Sequence, residues 1–159
     1  MVELQYNIEQ ARQETLNDLN KLETCLMVEE EGLLVRDLPM VSFGYRFCSA
    51  LILRKGERML LSHIRPTNYI TEGYIEVGID MMGKEISELT AMAVGGKYKD
   101  FIQQRCDQKG LKLAEGYLDE RREEEMFREK PFHSRDIIVI PALAEVWIYT
   151  HKGKITRSM

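Results

Sequence analysis

The chain has 159 residues, a length that fits one domain with a substantial buried core. Its apolar fraction of 44% and charged fraction of 30% are those of an ordinary globular protein. The formal net charge of -4 gives no overall positive field that would attract nucleic acid or an anionic membrane, so we expect neither as a partner.

Targeting and metal-binding signals are missing from the sequence. The first residues, MVELQYNIEQ, have neither the basic region nor the apolar region of a signal peptide. The most apolar stretch, IIVIPALAEVWIY, is interrupted by a proline and a glutamate and is too short to span a bilayer. The three cysteines, Cys25, Cys48 and Cys106, are an odd number at wide spacing, which is typical of neither a disulfide framework nor a zinc site. We therefore expect a cytoplasmic protein with a single domain over residues 1–159, without metal or cofactor.

The first half of the chain predicts a helix, a hairpin and a second helix. Residues 6–28 predict an amphipathic N-terminal helix, because apolar residues recur at helical spacing between polar ones. Residues 41–66 predict a β-hairpin, with two apolar strands around a Lys55-Gly56 turn. The stretch TNYITEGYIEVGIDMMGKEISEL predicts a helix that its glycines weaken.

The second half predicts further strands around one helix. ELTAMAVGG predicts a strand that ends in a Gly-Gly turn, KYKDFIQQRCDQKG a helix that Gly110 ends, and LKLAEGYL a strand. Residues 119–136 carry mixed charges and predict a solvated loop or a short exposed helix. IIVIPALAEVWIYTHKGKITR predicts two or three strands, the last pair joined across HKGK. This order indicates an α+β fold with a mainly antiparallel, sandwich-like central sheet covered by helices.

The hairpin carries the residues with the most chemistry. A two-residue turn at Lys55-Gly56 pairs Cys48 directly with His63, and directly opposed residues have Cβ atoms about 4.5–5.5 Å apart. An imidazole at that distance can take the thiol proton and leave a thiolate that attacks an acyl carbon. The alternative is an inert core residue, since cysteine is among the most buried residue types.

The arrangement of these residues resembles that of the CheD-type and cytotoxic-necrotizing-factor-type glutamine deamidases. Cys48 and His63 are fifteen residues apart on neighbouring strands, and Ser42 lies six residues before the cysteine. Pro66 resembles the proline that follows the histidine-bearing strand in CheD, and YIEVGIDMM and AVGGK resemble the helix and the Gly-Gly turn that come next. The chain has Arg46-Phe47 where those proteins usually have Gly-Ser before the cysteine.

This resemblance implies Cys48 as the nucleophile, His63 as the base and then the acid, and Ser42 as the group that orients His63. It implies attack on a glutamine carboxamide, a thioester intermediate and release of ammonia, with a protein as substrate or partner. Arg46 and Arg65 lie near the two ends of the predicted site. They are candidates for binding a polar substrate, with salt-bridged edge residues as the alternative.

Two other functions stay open. The first is a non-enzymatic interaction domain of the same fold, in which the N-terminal helix and the 119–136 segment bind a partner and Cys48 is buried and inert. The second keeps the Cys–His pair but has a small amide or thioester as substrate. The remaining residues of this type predict structural roles: Cys25 and Cys106 as core, His133 and His151 as surface histidines.

Overall fold

The computed structural model describes residues 12–45, 47–65, 67–83, 85–96, 98–117, 135–150 and 152–159. The described helices are α1 over residues 12–19, α2 over Asn68–Met81 and α3 over Lys99–Gln108. The described strands are β1 Leu26–Met27, β2 Leu33–Arg36, β3 Met40–Tyr45, β4 Ala50–Lys55, β5 Arg58–Ser62, β6 Thr90–Val94, β7 Lys112–Leu113, β8 Arg135–Ile140, β9 Glu145–Thr150 and β10 Gly153–Ser158. Two short 3-10 helices span Ile86–Glu88 and Pro141–Leu143.

The strands form two five-stranded sheets. Sheet A has the order β1-β3-β8-β9-β10, and sheet B has the order β2-β5-β4-β6-β7. Neighbouring strands are antiparallel except for β1 with β3 and β6 with β7, which are parallel. The strands that the sequence places in one central sheet are therefore divided between two.

The two sheets pack face to face, and helices cover their outer faces. The core between the sheets takes apolar residues from both, such as Ile52 and Leu61 of sheet B with Ile137 and Ile148 of sheet A. A second core joins the other face of sheet B to α2 and α3, and a third joins the other face of sheet A to the segment around Leu19. The predicted α+β class with a sandwich-like, mainly antiparallel arrangement is confirmed.

The predicted N-terminal helix over residues 6–28 is wrong at its C-terminal end. The chain is helical over residues 12–19 and leaves the helix at residue 20, while residues 6–11 lie outside the described part. Leu26–Met27 instead form β1, which pairs in parallel with Met40–Val41 of β3. The apolar spacing continues past the helix because Leu22 packs on the outer face of sheet A without helical backbone. Pairing of Leu26 with β3 at the edge of sheet A therefore decides the conformation here, although the spacing of apolar residues favours a helix.

The predicted hairpin over residues 41–66 is correct only for β4 and β5. Ser42 belongs to β3, which is part of the opposite sheet. The turn consists of Gly56 and Glu57 rather than Lys55 and Gly56, because Lys55 pairs with Arg58. Gly56 has φ of +59°, which fits glycine at the first central position of a type II′ turn.

The elements between the hairpin and the last strands agree with the prediction in type and order, but α2 ends at Met81 and the strand predicted over LKLAEGYL is reduced to Lys112–Leu113. The mixed-charge segment agrees less well. The helices α2 and α3, the strand β6 with its Gly95-Gly96 turn and the final three strands are all present. Of the 119–136 segment, residues 119–134 lie outside the described part. Arg135 and Asp136 are not in a solvated loop: both are buried in β8. No helix in the described part is long and apolar enough to span a membrane.

Candidate active site

A β-bulge in β3 turns two side chains toward the space between the sheets. The register of β3 with β8 shifts between Ser42 and Tyr45, and Gly44 within this step has φ of +75°. Strand residues three positions apart ordinarily face opposite sides of a sheet. The extra residue of a bulge removes that difference. Ser42 and Tyr45 are therefore both fully buried, and both contact His63.

Ser42 fixes one nitrogen of the His63 ring. Its Oγ lies 2.9 Å from His63 Nδ1 and 2.5 Å from the carbonyl oxygen of Val28. Because a carbonyl oxygen can only accept, the single hydroxyl hydrogen of Ser42 is donated to Val28. The Ser42 oxygen then accepts a hydrogen bond from Nδ1–H. This assignment leaves Nε2 of the neutral ring with its lone pair.

Tyr45 fixes the plane of the same ring. The two rings stack with centroids 3.9 Å apart and an interplanar angle of 14°. The Tyr45 phenol donates to the carbonyl of Ser62 at 2.7 Å, which holds it in place. His63 is 2% exposed, and its Nε2 is buried with no hydrogen-bond partner among the described residues. Burial lowers the pKa of His63, against the opposing effect of Glu30, so the ring is a neutral, oriented base at pH 7.

Cys48 lies on the same face as His63 without being its direct partner. An isolated bridge between Ser49 and Ile64 continues the register of the β4–β5 hairpin. Cys48 consequently stands opposite Arg65, two residues beyond His63. Diagonal neighbours of this kind have Cα atoms about 7–8 Å apart. The predicted direct opposition is wrong, but the shared face is preserved, because moving the turn by one residue changes every cross-strand partner by two positions.

The thiol of Cys48 is hydrogen-bonded to a carboxylate. Its Sγ donates to Glu30 Oε1 at 4.0 Å, and no hydrogen bond joins it to His63 in the described chain. Burial raises the pKa of Cys48 to about 11, with Glu30 as the next cause, while Arg65 and Arg135 act in the opposite direction. The thiol is therefore protonated at pH 7 in this arrangement.

The carboxylate comes from residues 28–32, which we call the acidic loop. This loop is bonded to the backbone of the histidine: Glu31 N–H donates to the His63 carbonyl at 2.9 Å, and His63 N–H donates to the Gly32 carbonyl at 3.0 Å. Glu31 has φ of +67°, a left-handed conformation that is uncommon for residues other than glycine. The Tyr74 phenol donates to the Glu31 carbonyl and so ties the acidic loop to α2. These bonds hold Glu30 over the thiol.

The two arginines predicted to bind substrate have different outcomes. Arg65 Nε lies 3.2 Å from Glu31 Oε1, with both side chains about half exposed. An exposed ion pair of this kind contributes little to stability. Arg65 thus lies near Cys48 at the rim of the site. It forms a salt bridge, which was the alternative to substrate binding. Arg46 lies outside the described residues.

The close backbone approach to Cys48 comes from the Gly95-Gly96 turn after β6. Gly96 has φ of +78°, and a Cβ at this position would lie 2.3 Å from the carbonyl oxygen of Cys48. Gly95 has φ of +48°, and a Cβ there would lie 2.4 Å from Nε of Arg135. Only glycine allows both contacts. The close approach to the Cys48 backbone is thus made by a neighbouring strand of sheet B, at a Gly-Gly turn.

Three residues of this site were missed at the sequence level. Tyr45 carried a usable signal, because Gly44 inside an apolar strand pattern indicates a bulge. Arg135 carried a weak signal, because it lies two residues before Ile137 in the same strand and so faces the same core. Glu30 carried none, because an acidic run before a glycine is usually a solvated loop.

The other cysteines and histidines do not join this site. Cys106 is buried under sheet B and Cys25 packs half-buried against sheet A, as predicted for core residues. His133 and His151 lie outside the described residues. Within the described ranges, no group of three or more histidine, cysteine or carboxylate side chains is placed to hold a metal ion.

The described residues thus bring Ser42, His63 and Cys48 to one end of the space between the sheets, and they add Tyr45 and Glu30. Ser42 and Tyr45 fix the orientation of the His63 ring, and burial keeps the Cys48 thiol protonated at pH 7. No protein-family model and no curated protein matches this chain.

Proposed function

We propose that this protein is a cysteine hydrolase of the glutamine-deamidase type, with Cys48 as the nucleophile and His63 as the base. The observation that carries the proposal is the hydrogen bond between Ser42 Oγ and His63 Nδ1, together with Nε2, which has no hydrogen-bond partner in the part of the chain that the structure describes. A buried imidazole whose basic nitrogen has no partner is costly for the fold. That cost is explained when Nε2 serves to take a proton from the neighbouring thiol.

The chemistry follows from these roles. Nε2 of His63 takes the thiol proton, and the Cys48 thiolate attacks the carboxamide carbon of a glutamine side chain. The tetrahedral intermediate collapses as the imidazolium gives its proton to the leaving nitrogen, so ammonia departs and a thioester remains. His63 then takes a proton from water, which attacks the thioester carbonyl, and glutamate and the free thiol are released. We assign the backbone N–H of Cys48 to the oxyanion.

The reaction requires Cys48 to exchange one partner for another. In the structure the thiol donates to Glu30, and the imidazole Nε2 is shielded from solvent. A rotation about the Cα–Cβ bond of Cys48 carries Sγ from the acidic loop toward its diagonal neighbour His63. A substrate carboxamide that displaces Glu30 would free the thiol at the moment of binding.

The proposed substrate is a glutamine presented on a protein. The resemblance to the glutamine deamidases supports this class, and the site lies beside the exposed acidic loop, where a protein surface can reach it. Glu31 and Gly32 fix one end of the loop to His63 and α2, and Val28 fixes the other end to β3, so a substrate needs to move only the Glu30 side chain.

The deamidase proposal is tested with a mixture of unfolded, glutamine-rich proteins as substrate. We expect the wild-type chain to release ammonia and to convert individual glutamines to glutamate, as mapped by peptide mass spectrometry. Cys48→Ser and His63→Ala should release no more ammonia than buffer. Ammonia release that survives in Cys48→Ser would contradict the assignment of the nucleophile.

A second candidate is a non-enzymatic interaction domain with an inert Cys48. The Glu30 contact and the raised pKa of Cys48, about 11, favour it, because a protonated thiol at pH 7 is a poor nucleophile. The two candidates predict different effects of His63 on the reactivity of Cys48. An inert Cys48 reacts with a neutral alkylating reagent at a rate that does not depend on the His63 side chain. A Cys48 that His63 activates reacts more slowly when that side chain is removed.

A further inference from the structure

The acidic loop contacts both residues of the proposed dyad. Its backbone is hydrogen-bonded to the backbone of His63, and its Glu30 side chain accepts the hydrogen bond of the Cys48 thiol, with Oε1 4.0 Å from Sγ. His63 is 2% exposed, and its Nε2 has no hydrogen-bond partner among the described residues. Because Glu30 is exposed and Cys48 is buried, a substrate that approaches the thiol meets the Glu30 carboxylate.

The backbone of the acidic loop is fixed on both sides of Glu30. On one side, Val28 N–H donates to the Val41 carbonyl at 2.7 Å. On the other side, Gly32 N–H donates to the Glu29 carbonyl at 2.8 Å and closes a tight turn around the glutamate. Glu30 can therefore change its partner by rotation of its own side chain, while the backbone of the loop stays in place.

The partner that Glu30 has in the structure is a weak one for a carboxylate. A thiol is a weak hydrogen-bond donor, and in the described ranges Glu30 forms no ion pair with a lysine or an arginine. Arg65, at the same rim, pairs with Glu31 instead. Hydrogen bonds from Lys or Arg to a carboxylate are roughly twice as strong as those between neutral groups. An ammonium or guanidinium group that a substrate brings to Glu30 would therefore replace the thiol.

From these contacts we propose that Glu30 is a specificity-determining residue, and that the substrate glutamine lies beside a lysine or an arginine in a basic segment of a protein. The inference rests on the proposed function and names the substrate class of the same site. The substrate cation pairs with Glu30, the thiol of Cys48 loses its carboxylate partner, and Nε2 of His63 takes the thiol proton. Recognition of the cation thus frees the nucleophile.

The first test compares two peptides of equal length, one with glutamine between two lysines and one with glutamine between two glutamates. Ammonia release gives kcat/KM for each. We expect the wild type to prefer the lysine peptide by about fivefold or more, the factor that corresponds to one charge at about 4 Å in a water-like dielectric. Glu30→Gln should bring the ratio close to one, mainly by speeding the reaction of the glutamate peptide.

Two further variants make this test specific for the charge at position 30. Glu30→Lys should invert the preference, so that the glutamate peptide becomes the better substrate. Glu29→Gln removes the same charge from an exposed side chain one residue away and should keep the wild-type preference. Equal kcat/KM for the two peptides in the wild type, or a preference for the lysine peptide that survives in Glu30→Lys, would overturn the inference.

A second measurement does not depend on turnover. Alkylation of Cys48 by iodoacetamide at pH 7 is followed by peptide mass spectrometry, so that Cys25 and Cys106 do not contribute, in the presence of the same peptides with alanine in place of glutamine. The lysine peptide should speed alkylation of the wild type by about fivefold. It should have no effect on Glu30→Gln, and the glutamate peptide should speed neither protein.

The two measurements together distinguish failure of the inference from failure of the proposed function. If both glutamine peptides are deamidated at the same rate, the role of Glu30 is rejected and the proposed function stands. If neither is deamidated, yet the lysine peptide speeds alkylation through Glu30, the deamidase function is rejected and recognition of a cation by Glu30 stands. Absence of both ammonia release and faster alkylation rejects both.

Discussion

Ser42 has one hydroxyl hydrogen, and donating it to the Val28 carbonyl determines the protonation of His63. The ring is fixed at Nδ1 by this serine and in its plane by Tyr45, so Nε2 has one defined direction. Orientation of a base by a second group is the arrangement that nucleophilic cysteine and serine sites share. At the scale of single residues, the site is therefore built around the histidine more than around the cysteine.

Ser42→Ala tests that arrangement. The variant leaves the buried Nδ1–H of His63 and the carbonyl of Val28 each without its partner, so the free energy of unfolding should fall by about 1–3 kcal/mol. Urea denaturation measures the loss, and the ring nitrogen shifts in NMR report whether Nδ1 keeps its proton. Ser158→Ala, at the end of the edge strand β10, is the control and should change stability little. A Ser42→Ala variant with wild-type stability and tautomer would contradict the assignment.

The acid dependence of stability should report the burial of His63. Burial lowers the folded-state pKa of His63 below its unfolded value of about 6.5. Below pH 6.5 the unfolded state then binds more protons than the folded state, so the free energy of unfolding decreases as the pH falls from 7 to 5. His63→Gln should flatten this part of the curve in a series of denaturation midpoints. A slope that is the same in both proteins would show that His63 titrates normally.

At the scale of elements, the bulge in β3 links the site to the N-terminal helix. Asp136 of β8 accepts two hydrogen bonds from Arg12, one from the Thr15 hydroxyl and one from the backbone N–H of Gly44. The same carboxylate thus holds α1 on sheet A and fixes the glycine whose conformation allows Ser42 to face the histidine. The helix contributes to the geometry of the site without touching it.

Asp136→Ala should therefore affect both stability and the site. The Asp136 carboxylate is 5% exposed and accepts four hydrogen bonds, so its removal should lower the free energy of unfolding by about 1–3 kcal/mol. The loss of the Gly44 contact should also broaden the NMR signals of the His63 ring. Arg12→Ala is the matched variant: it leaves the buried carboxylate of Asp136 without its cation, so it should also lower stability, but it keeps the Gly44 contact and should leave the ring signals sharp. Equal broadening of the ring signals in the two variants would show that the Gly44 contact has no role.

Helix α2 provides a second test at this scale, through two glycines with different surroundings. A Cβ at Gly73 would meet nothing within 4 Å, whereas a Cβ at Gly78 would lie 3.3 Å from Leu53 Cδ1 and 3.4 Å from Leu60 Cδ1. Gly73→Ala should raise the free energy of unfolding by about 0.5–1 kcal/mol through the higher helix propensity of alanine. Gly78→Val should lower it, because the branched side chain pushes α2 off sheet B. Thermal unfolding of the two variants measures both changes. A Gly78→Val variant that is more stable than the wild type would mean that α2 packs less closely on sheet B.

At the scale of the whole molecule, the site is made by two sheets that meet face to face. Cys48 and His63 come from sheet B, and Ser42 and Tyr45 come from sheet A. The sequence alone could predict that Cys48 and His63 share one face of the hairpin. Moving a two-residue turn by one position shifts each cross-strand partner by two residues, and residues two apart face the same side of a sheet. The division into two sheets could not be predicted, since the chain crosses between β3 and β4 within a few residues that carry no turn signal.

The remaining differences have similar physical causes. Leu22 and Leu26 continue the helical spacing of apolar residues, yet neither is in a helix. Leu26 pairs with β3, and Leu22 packs on the outer face of sheet A. Arg135 and Asp136 end a run of charged residues that predicts solvent exposure. Their burial depends on Gly95, Gly44 and Arg12, which are distant in sequence. Long-range partners of this kind leave no local pattern.

The proposed activation of Cys48 by His63 can be measured as the rate of Cys48 alkylation by iodoacetamide across pH 5–9. Substitution of Glu30 by Gln should speed the reaction near pH 7, because it removes the carboxylate that holds the thiol proton, and Glu29→Gln should not. We expect wild-type Cys48 to react below pH 8 and His63→Ala to slow this reaction by about tenfold or more. A Cys48 that reacts only above pH 8, at the same rate in the wild type and in His63→Ala, would contradict the proposed activation.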